Sequence, residues 1–91
     1  MKNTKDILIE KMVAIHDKCY GIYQEHGGYD YHDEMHYQLR GLDETIGEAS
    51  LEEETENLRS LFDDAQAIHE WFQHVEKIRV LQKSMPEVIF G

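Results

Sequence analysis

The stretch at residues 8–23, LIEKMVAIHDKCYGIY, carries the repeat that decides the fold. Its apolar side chains recur at alternating steps of four and three residues, at Leu8, Met12, Ile15, Cys19 and Ile22. Such steps keep side chains on one face of an α-helix, which turns about once every 3.6 residues. Asn3 suits the N-cap position, and Asp6 places a negative charge in the first turn, where the helix dipole stabilises it. A first helix is predicted over about residues 4–26, ended by Gly27-Gly28.

The same alternation recurs twice further along the chain. The second repeat consists of Tyr31, Met35, Leu39, Leu42, Ile46 and Ala49. The third repeat consists of Leu58, Phe62, Ala65, Ile68 or His69, Phe72, Val75, Ile78, Leu81 and Met85. Pro86 ends the third helix, because the residue before a proline disfavours the helical conformation.

The boundary between the second and third repeats rests on a capping signal. Ser50 followed by Glu53 has the spacing of a capping box, which favours a new helix from about residue 51. One bent rod is the alternative, since neither glycine nor proline separates Ala49 from Leu51. The sequence therefore predicts an all-α bundle of three amphipathic helices. They lie at about residues 4–26, 31–49 and 51–84, in a single domain over residues 1–91 with a short tail at 85–91.

The negative charge of the chain is concentrated in its middle third. The chain has 19 acidic and 9 basic residues, which give a formal net charge of −10. Eleven of the carboxylates lie between residues 25 and 56, where Arg40 is the only basic residue, and both flanking segments are nearly neutral. A field of this sign repels phosphate groups and attracts basic surfaces. A basic protein partner is therefore predicted, and direct nucleic-acid binding is not.

Composition also bears on the membrane and on the compartment. No run of eighteen apolar residues occurs in the chain, so no membrane span is predicted. A single cysteine, Cys19, cannot form an internal disulfide, and the first residues do not resemble a signal peptide. We therefore expect the protein to act in the cytoplasm.

The third repeat is longer than the other two. At 1.5 Å per residue, a helix over residues 51–84 reaches about 50 Å, the first about 35 Å and the second just under about 30 Å. Because the apolar stripe continues to the end, its surplus surface is expected to pack against a second copy of the chain. The predicted homodimer interface comprises Ile68, Trp71, Phe72, Val75, Ile78 and Leu81. The alternative is a kink near Asp63-Asp64 that folds this stretch back into shorter segments.

Histidine and cysteine side chains are the first candidates for chemistry. His32 and His36 lie one helical turn apart, a spacing that chelates transition metals, but the sequence fixes no third ligand. Cys19 lies on the apolar stripe, where a thiol is inert packing more often than a nucleophile. No metal site, cofactor or nucleophilic catalysis is therefore predicted.

Carboxylates at helical spacing give a further enzyme hypothesis. The acidic residues Glu52, Glu53, Glu56, Asp63 and Asp64 resemble in composition the magnesium ligands of all-helical nucleotide pyrophosphohydrolases. The sequence has no second acidic motif at matching spacing and few cations to hold phosphates. A metal-dependent nucleotide hydrolase therefore stays a minor alternative, and the prediction is that the protein is not an enzyme.

Tyrosines and carboxylates supply the candidate binding surface. Tyr20, Tyr23 and Tyr31 are expected to extend the core stripe, whereas Tyr29 and Tyr37 lie off it and suit partner contacts. Carboxylates on the polar side of the second helix recur at helical spacing and form a row. The predicted partner-binding residues are Tyr29, Asp33, Glu34, Tyr37, Glu44, Glu48, Glu52, Glu53 and Glu56. An ordinary solvated acidic face is the alternative.

Two functional classes follow from these features. In the first, the chain is a small acidic protein-binding module of the kind that phages and mobile elements encode. Such an inhibitor occupies a basic, nucleic-acid-binding site on a nuclease or defence protein, as DNA mimics do. In the second, the chain is a helical adaptor or assembly subunit that oligomerises through its third helix, with Val88-Ile89-Phe90 as a docking tail. The first predicts salt-sensitive binding and the second salt-tolerant binding.

Overall fold

The computed structural model describes residues 3–26 and 32–84 of the chain. Three α-helices follow one another, α1 (Thr4–His26), α2 (His32–Leu51) and α3 (Thr55–Ser84), and each packs against both others. No β-strand occurs in these residues. The predicted all-α bundle of three helices is therefore confirmed. The expectations for the Gly27-Gly28 turn, for Tyr29 and Tyr31, and for the tail at 85–91 lie outside the described residues.

The start of α1 has the predicted cap. The side-chain oxygen Oδ1 of Asn3 accepts a hydrogen bond from the backbone N–H of Asp6 at 2.9 Å. The backbone carbonyl of Asn3 accepts the next one, from Ile7 at 3.1 Å. Asn3 therefore satisfies one amide through its side chain and opens the helical ladder through its backbone, as an N-cap residue does.

One apolar core lies between the three helices. The buried residues are Met12, Ile15, Cys19, Ile22, Met35, Leu39, Leu42, Ala49, Leu58, Ala65, Phe72 and Val75. All of them belong to the three apolar repeats, although the sequence assigns two of them, Phe72 and Val75, to a dimer interface. No helix in the described part of the chain has an apolar stretch long enough to cross a membrane.

Side-chain pairs fix the directions of the helices. His16 of α1 lies beside Asp43 of α2, and Tyr23 of α1 lies beside His36 of α2, so these helices run antiparallel. Near the start of α1, the ammonium group of Lys5 lies 3.8 Å from a carboxylate oxygen of Glu53, just before α3. Towards its end, α1 lines a common groove with the middle of α3. The helices therefore run up, down and up, with α1 and α3 parallel.

The α2–α3 boundary differs from the prediction. Residues 52–54 are not helical, so α2 and α3 do not form one rod, and α3 begins at Thr55. Ser50 lies inside α2, where its hydroxyl donates a hydrogen bond to the carbonyl of Ile46 at 3.0 Å. The predicted capping box of Ser50 and Glu53 is therefore wrong. A serine near a helix end can bond back to the preceding turn as readily as it caps a following helix.

α3 is continuous from Thr55 to Ser84, so the alternative kink near Asp63-Asp64 is wrong. At 1.5 Å per residue its 30 residues span about 45 Å. Because α3 runs beside α1, its apolar stripe has a partner within the chain. Phe72 and Val75, placed by the sequence in a dimer interface, are only 0% and 2% exposed and belong to the core of the single chain.

The remaining residues of the predicted dimer interface are divided in their exposure. Ile68 and Trp71 are partly buried and pack against the core of the chain, and Ile78 is also partly buried. Leu81 is 50% exposed, and its neighbour Val80 is 54% exposed. Apolar surface for a second copy is therefore concentrated near the end of α3 and does not extend along its whole length.

Gly47, within α2, gives a prediction on stability. Beyond the two neighbouring residues and the local backbone of α2, a Cβ atom added at this position meets no atom within 4 Å, so no packing contact in the described structure requires a glycine there. Because alanine favours the helix over glycine by about 1 kcal/mol, Gly47→Ala is expected to raise the free energy of unfolding by about that amount. Urea denaturation followed by circular dichroism measures the change. A decrease would show that the position needs glycine, and Gly21→Ala in α1, where the space is equally open, is the matched comparison.

Candidate functional site

The outer face of α2 is acidic. Its exposed carboxylates are those of Asp33, Glu34, Asp43, Glu44 and Glu48, and Arg40 is the only lysine or arginine of this helix. α1 and α3 carry acidic and basic side chains in nearly equal numbers. The structure therefore places five of the eleven carboxylates of residues 25–56 on the exposed surface of α2, whose other side faces the core.

Large apolar groups are exposed on the same face of α2. Tyr37 is 75% exposed and Leu51 is 84% exposed, the two highest values among the large hydrophobic residues of the described chain. Starting from Asp33, steps of four, seven, four and three residues lead through Tyr37, Glu44 and Glu48 to Leu51. These steps keep the five side chains on one face of the helix. We call these five residues the outer row.

Tyr37 is exposed, as expected of a residue off the core stripe. The sequence places Tyr37 off the core stripe, and the structure shows its ring in solvent between acidic neighbours. Leu51 was not among the predicted site residues, because the sequence places it at the start of a third helix. Its position at the last turn of α2 makes it part of the outer row. The sequence does not show that α2 extends to Leu51, so it does not place this residue on the outer face.

Glu52 has a structural task at the α2–α3 connection. Its carboxylate oxygen Oε1 accepts hydrogen bonds from the backbone N–H groups of Glu53 and Glu54, at 3.0 Å and 3.1 Å. The bond from Glu54, together with one from the side chain of Asn57, holds the pKa of Glu52 below its usual range. Glu52 therefore caps the region before α3, and its carboxylate is already engaged within the chain.

Glu53 lies in the connection between α2 and α3, and Glu56 lies in the first turn of α3. The carboxylate of Glu53 is 88% exposed and lies 3.8 Å from the ammonium group of Lys5, a weak, solvent-screened pair. Glu56 is exposed in the first turn of α3, where the helix dipole favours its charge. Both side chains are therefore accessible, but they serve the local structure as well as the acidic surface.

The lowered pKa of Glu52 gives a prediction on pH. A carboxylate with a folded pKa below its unfolded pKa stabilises the fold above the unfolded pKa, and this stabilisation is lost as the pH falls through the folded pKa. Glu52→Gln is therefore expected to lower the melting temperature at neutral pH. The difference from the unsubstituted protein should shrink as the pH falls below about 4.3, the usual value for glutamate. Thermal melts across this range measure it, with Glu54→Gln as the control. A difference that does not depend on pH would contradict the role of the charge.

An aromatic seam lies between α1 and α2. It is formed by the four rings of His16, Tyr20, Tyr23 and His36. The His16 and Tyr20 ring centroids lie 6.4 Å apart with planes 9° from parallel, and those of Tyr20 and Tyr23 lie 6.2 Å apart at 26°. The ring of His36 reaches Tyr23 from α2 at 6.5 Å. The four rings therefore form a continuous band across the two helices.

Polar groups border the seam on the α2 side. The ring nitrogen Nε2 of His16 lies 3.1 Å from Oδ1 of Asp43. Together with the four rings, Leu39, Arg40 and Asp43 line a cavity of about 190 Å³, and buried Leu39 lies at its base. A second cavity of about 390 Å³ shares part of this lining and continues to Tyr37 and Asp33. The seam therefore opens onto the outer row.

Sequence reasoning did not find the seam. Tyr20 was expected in the core, and this is wrong, since it is 47% exposed. Tyr23 is partly buried against the core, as predicted. The contact between His16 and Asp43 depends on the register of two antiparallel helices, which single-chain periodicity does not fix. Its only sequence signal is the second row on α1, three or four residues apart, that His16 shares with Tyr20 and Tyr23.

The remaining candidates for chemistry are placed as follows. Cys19 is fully buried, in agreement with its predicted packing position on the apolar stripe, and burial raises the pKa of its thiol to about 11. His36 contacts Tyr23 across the helix interface, and the side chain of His32 lies outside the described residues. Within residues 3–26 and 32–84, no three histidine, cysteine or acidic side chains are grouped as metal ligands. Asp63 and Asp64 are exposed on α3.

Known proteins provide no further assignment of this surface. Comparison of the chain with protein-family models, with curated proteins and with solved structures finds no match.

Proposed function

We propose that this chain is a small acidic protein-binding module whose outer row docks on a basic site of another protein. The observation that carries the proposal is the pairing of exposed carboxylates with exposed large apolar groups on one helix face. Glu44 and Glu48 lie between Tyr37 and Leu51, which are 75% and 84% exposed. Interfaces combine charge complementarity with a few large side chains that anchor the contact.

A solvated acidic face explains less of this pattern. Like charges one turn apart destabilise a helix by about 0.2–0.5 kcal/mol, so Glu44 and Glu48 do not serve stability. Neither makes an ion pair within the described residues. Solvation also gives no reason for an aromatic ring and a leucine on the same face. A surface used for binding accounts for both features.

The target site proposed is one that otherwise binds nucleic acid. Glu44 and Glu48 lie one helical turn apart, with about 5–6 Å between their Cβ atoms, and a basic groove that neutralises phosphates also accepts such neighbouring negative charges. The chain then acts as an inhibitor by occupancy and needs no catalytic group of its own. A nuclease or other defence protein of the host is the class of target that fits, as for phage- and mobile-element-encoded DNA mimics.

Affinity capture tests the proposal. The tagged chain is incubated with bacterial lysate at about 0.1 M and about 1 M salt, where the screening length falls from about 10 Å to about 3 Å. Bound proteins are identified by mass spectrometry. We expect a nucleic-acid-binding protein that is captured at low salt and lost at high salt. Glu44→Lys with Glu48→Lys should prevent its capture. Asp63→Lys with Glu70→Lys, an equal change in net charge at exposed positions of α3, should not.

A second candidate function is assembly through the end of α3. It is favoured by Val80 and Leu81, two large apolar residues that are 54% and 50% exposed near the end of α3. If this surface drives self-association, light scattering after size exclusion should give twice the chain mass of 10.8 kDa at both salt concentrations. Val80→Glu should then return the protein to a monomer. A monomer before substitution would remove this candidate and leave the binding module.

A further inference from the structure

The aromatic seam can recognise one particular side chain of a basic partner. We propose that the seam, defined by His16, Tyr20, Tyr23 and His36, binds the guanidinium group of an arginine from the partner that docks on the outer row. This inference rests on the proposed function, since it names the residue type that the partner supplies. It also extends the binding surface beyond α2, because both tyrosines and one of the two histidines of the seam belong to α1.

The tyrosine rings and neighbouring carboxylates of the seam favour a positively charged ligand. The faces of tyrosine rings carry the negative part of the ring quadrupole and attract cations within about 6 Å of the centroid. Asp43 lies beside the seam, and Asp33 lines the cavity that continues from it. Since the helix that contributes both carboxylates has a surplus of acidic groups, the groove lies in a negative field. A cation is therefore the ligand that this groove suits.

The open ring surface of the seam favours a flat ligand. The rings of His16 and Tyr20 are nearly parallel, and Tyr20 is 47% exposed, so part of its surface is open to a flat group. Guanidinium is planar, stacks on aromatic rings and donates two parallel hydrogen bonds to a carboxylate, whereas the ammonium of lysine is a compact charge. Asp43 uses Oδ1 for His16 and is exposed enough to accept further donors. Ring and carboxylate together favour arginine over lysine.

Arg40 gives the proposal an internal check. Its side chain lines both cavities, so the chain itself already places one guanidinium at the edge of the seam. A cationic ligand is repelled by Arg40, whereas an anionic ligand such as phosphate is attracted. Arg40→Gln is therefore expected to strengthen the binding of an arginine ligand. For an anion the same substitution would weaken binding, so the two ligand classes give opposite results.

Titration of the full chain with blocked tripeptides tests the inference. The probes are acetyl-Gly-Arg-Gly-amide and acetyl-Gly-Lys-Gly-amide, with inorganic phosphate as the anionic probe, and the signals are aromatic and amide NMR resonances. We expect the arginine peptide to shift the resonances of Tyr20, Tyr23 and Asp43 with a millimolar dissociation constant. Tyr20→Ala should weaken this binding about threefold to fivefold, whereas Tyr20→Phe should retain it. The lysine peptide should bind severalfold more weakly.

Other outcomes would overturn the inference. Shifts confined to residues outside the seam, equal binding by Tyr20→Ala, or phosphate binding that Arg40→Gln weakens would each contradict an arginine site. Partner capture tests the proposed function, and peptide binding tests the seam, so the two can fail independently. If no salt-sensitive partner is captured but the peptide still binds the seam, the proposed function fails alone. If the partner is captured but the peptide does not bind, the seam inference fails alone.

Discussion

Replacement of Phe72 by alanine is expected to lower the free energy of unfolding by about 3–5 kcal/mol. Phe72 is the largest fully buried side chain of the described structure. Its ring packs edge to face against that of Trp71, with 5.1 Å between the ring centroids. Truncation removes the buried ring and leaves a cavity that the neighbouring helices fill only in part. Since small domains have unfolding free energies of about 5–15 kcal/mol, this loss is a large share of the total. Urea denaturation monitored by circular dichroism measures it.

The control for Phe72 is Val80, on the same helix but 54% exposed. Val80→Ala is expected to change the free energy of unfolding by less than about 0.5 kcal/mol. Protein concentration supplies a second check. If Phe72 lay in an obligate dimer interface, the effect of its truncation would vary with concentration, whereas a core position within one chain gives the same loss at every concentration. A marked concentration dependence would contradict the position that the structure gives it.

Charge reversal on the outer row is expected to have the largest effect on binding. Glu44→Lys with Glu48→Lys places two positive charges against a basic partner, and like charges across an interface cost several kcal/mol. Since about 1.4 kcal/mol corresponds to a factor of ten, we expect the dissociation constant of the captured partner to rise about 100-fold. Biolayer interferometry with the purified partner measures the change.

The matched control has the same net charge as the Glu44→Lys and Glu48→Lys variant, but its substitutions lie on α3. Asp63→Lys with Glu70→Lys adds the same four units of charge at exposed positions of α3. We expect the dissociation constant to change by less than about threefold, because exposed charges more than about 10 Å apart are largely screened at 0.1 M salt. Equal weakening by both pairs would mean that net charge, and not the outer row, governs binding.

The apolar face of each helix was predictable from the sequence, because helical periodicity decides which side chains share a face. Met12, Ile15 and Cys19 recur at steps that only a helix brings to one face, and the structure buries all three. The N-cap was equally accessible, since Asn3 acts on residues three and four positions ahead. Properties that depend on one helix and its nearest neighbours along the chain were therefore within reach.

The α2–α3 connection was not predictable in the same way. Ser50 has two local options, a cap for a following helix or a bond back to Ile46, and the structure shows the second. Glu52 provides the capping oxygen instead, although its sequence position gave no capping-box signal. Both arrangements are compatible with the local sequence, which therefore does not decide between them.

The seam and the predicted dimer interface show the limit set by tertiary contacts. Whether His16 lies beside Asp43, and whether Phe72 faces α1 or a second chain, depends on the directions and register of the helices. A long apolar stripe on α3 suggested surplus surface, yet parallel packing along α1 covers most of it. Exposure of Tyr20 likewise follows from the position of α2 and not from its own spacing on α1.

The association rate of the purified partner, measured between about 0.1 M and about 1 M salt, tests the central claim most directly. Binding steered by the acidic outer row should slow steeply across this range, because added salt screens the long-range attraction that raises association rates. The variant with Glu44→Lys and Glu48→Lys should associate slowly at every salt concentration in this range. If the rate of the unsubstituted chain stays constant from low to high salt, the partner is not recognised through this charge, and the binding-module account is contradicted.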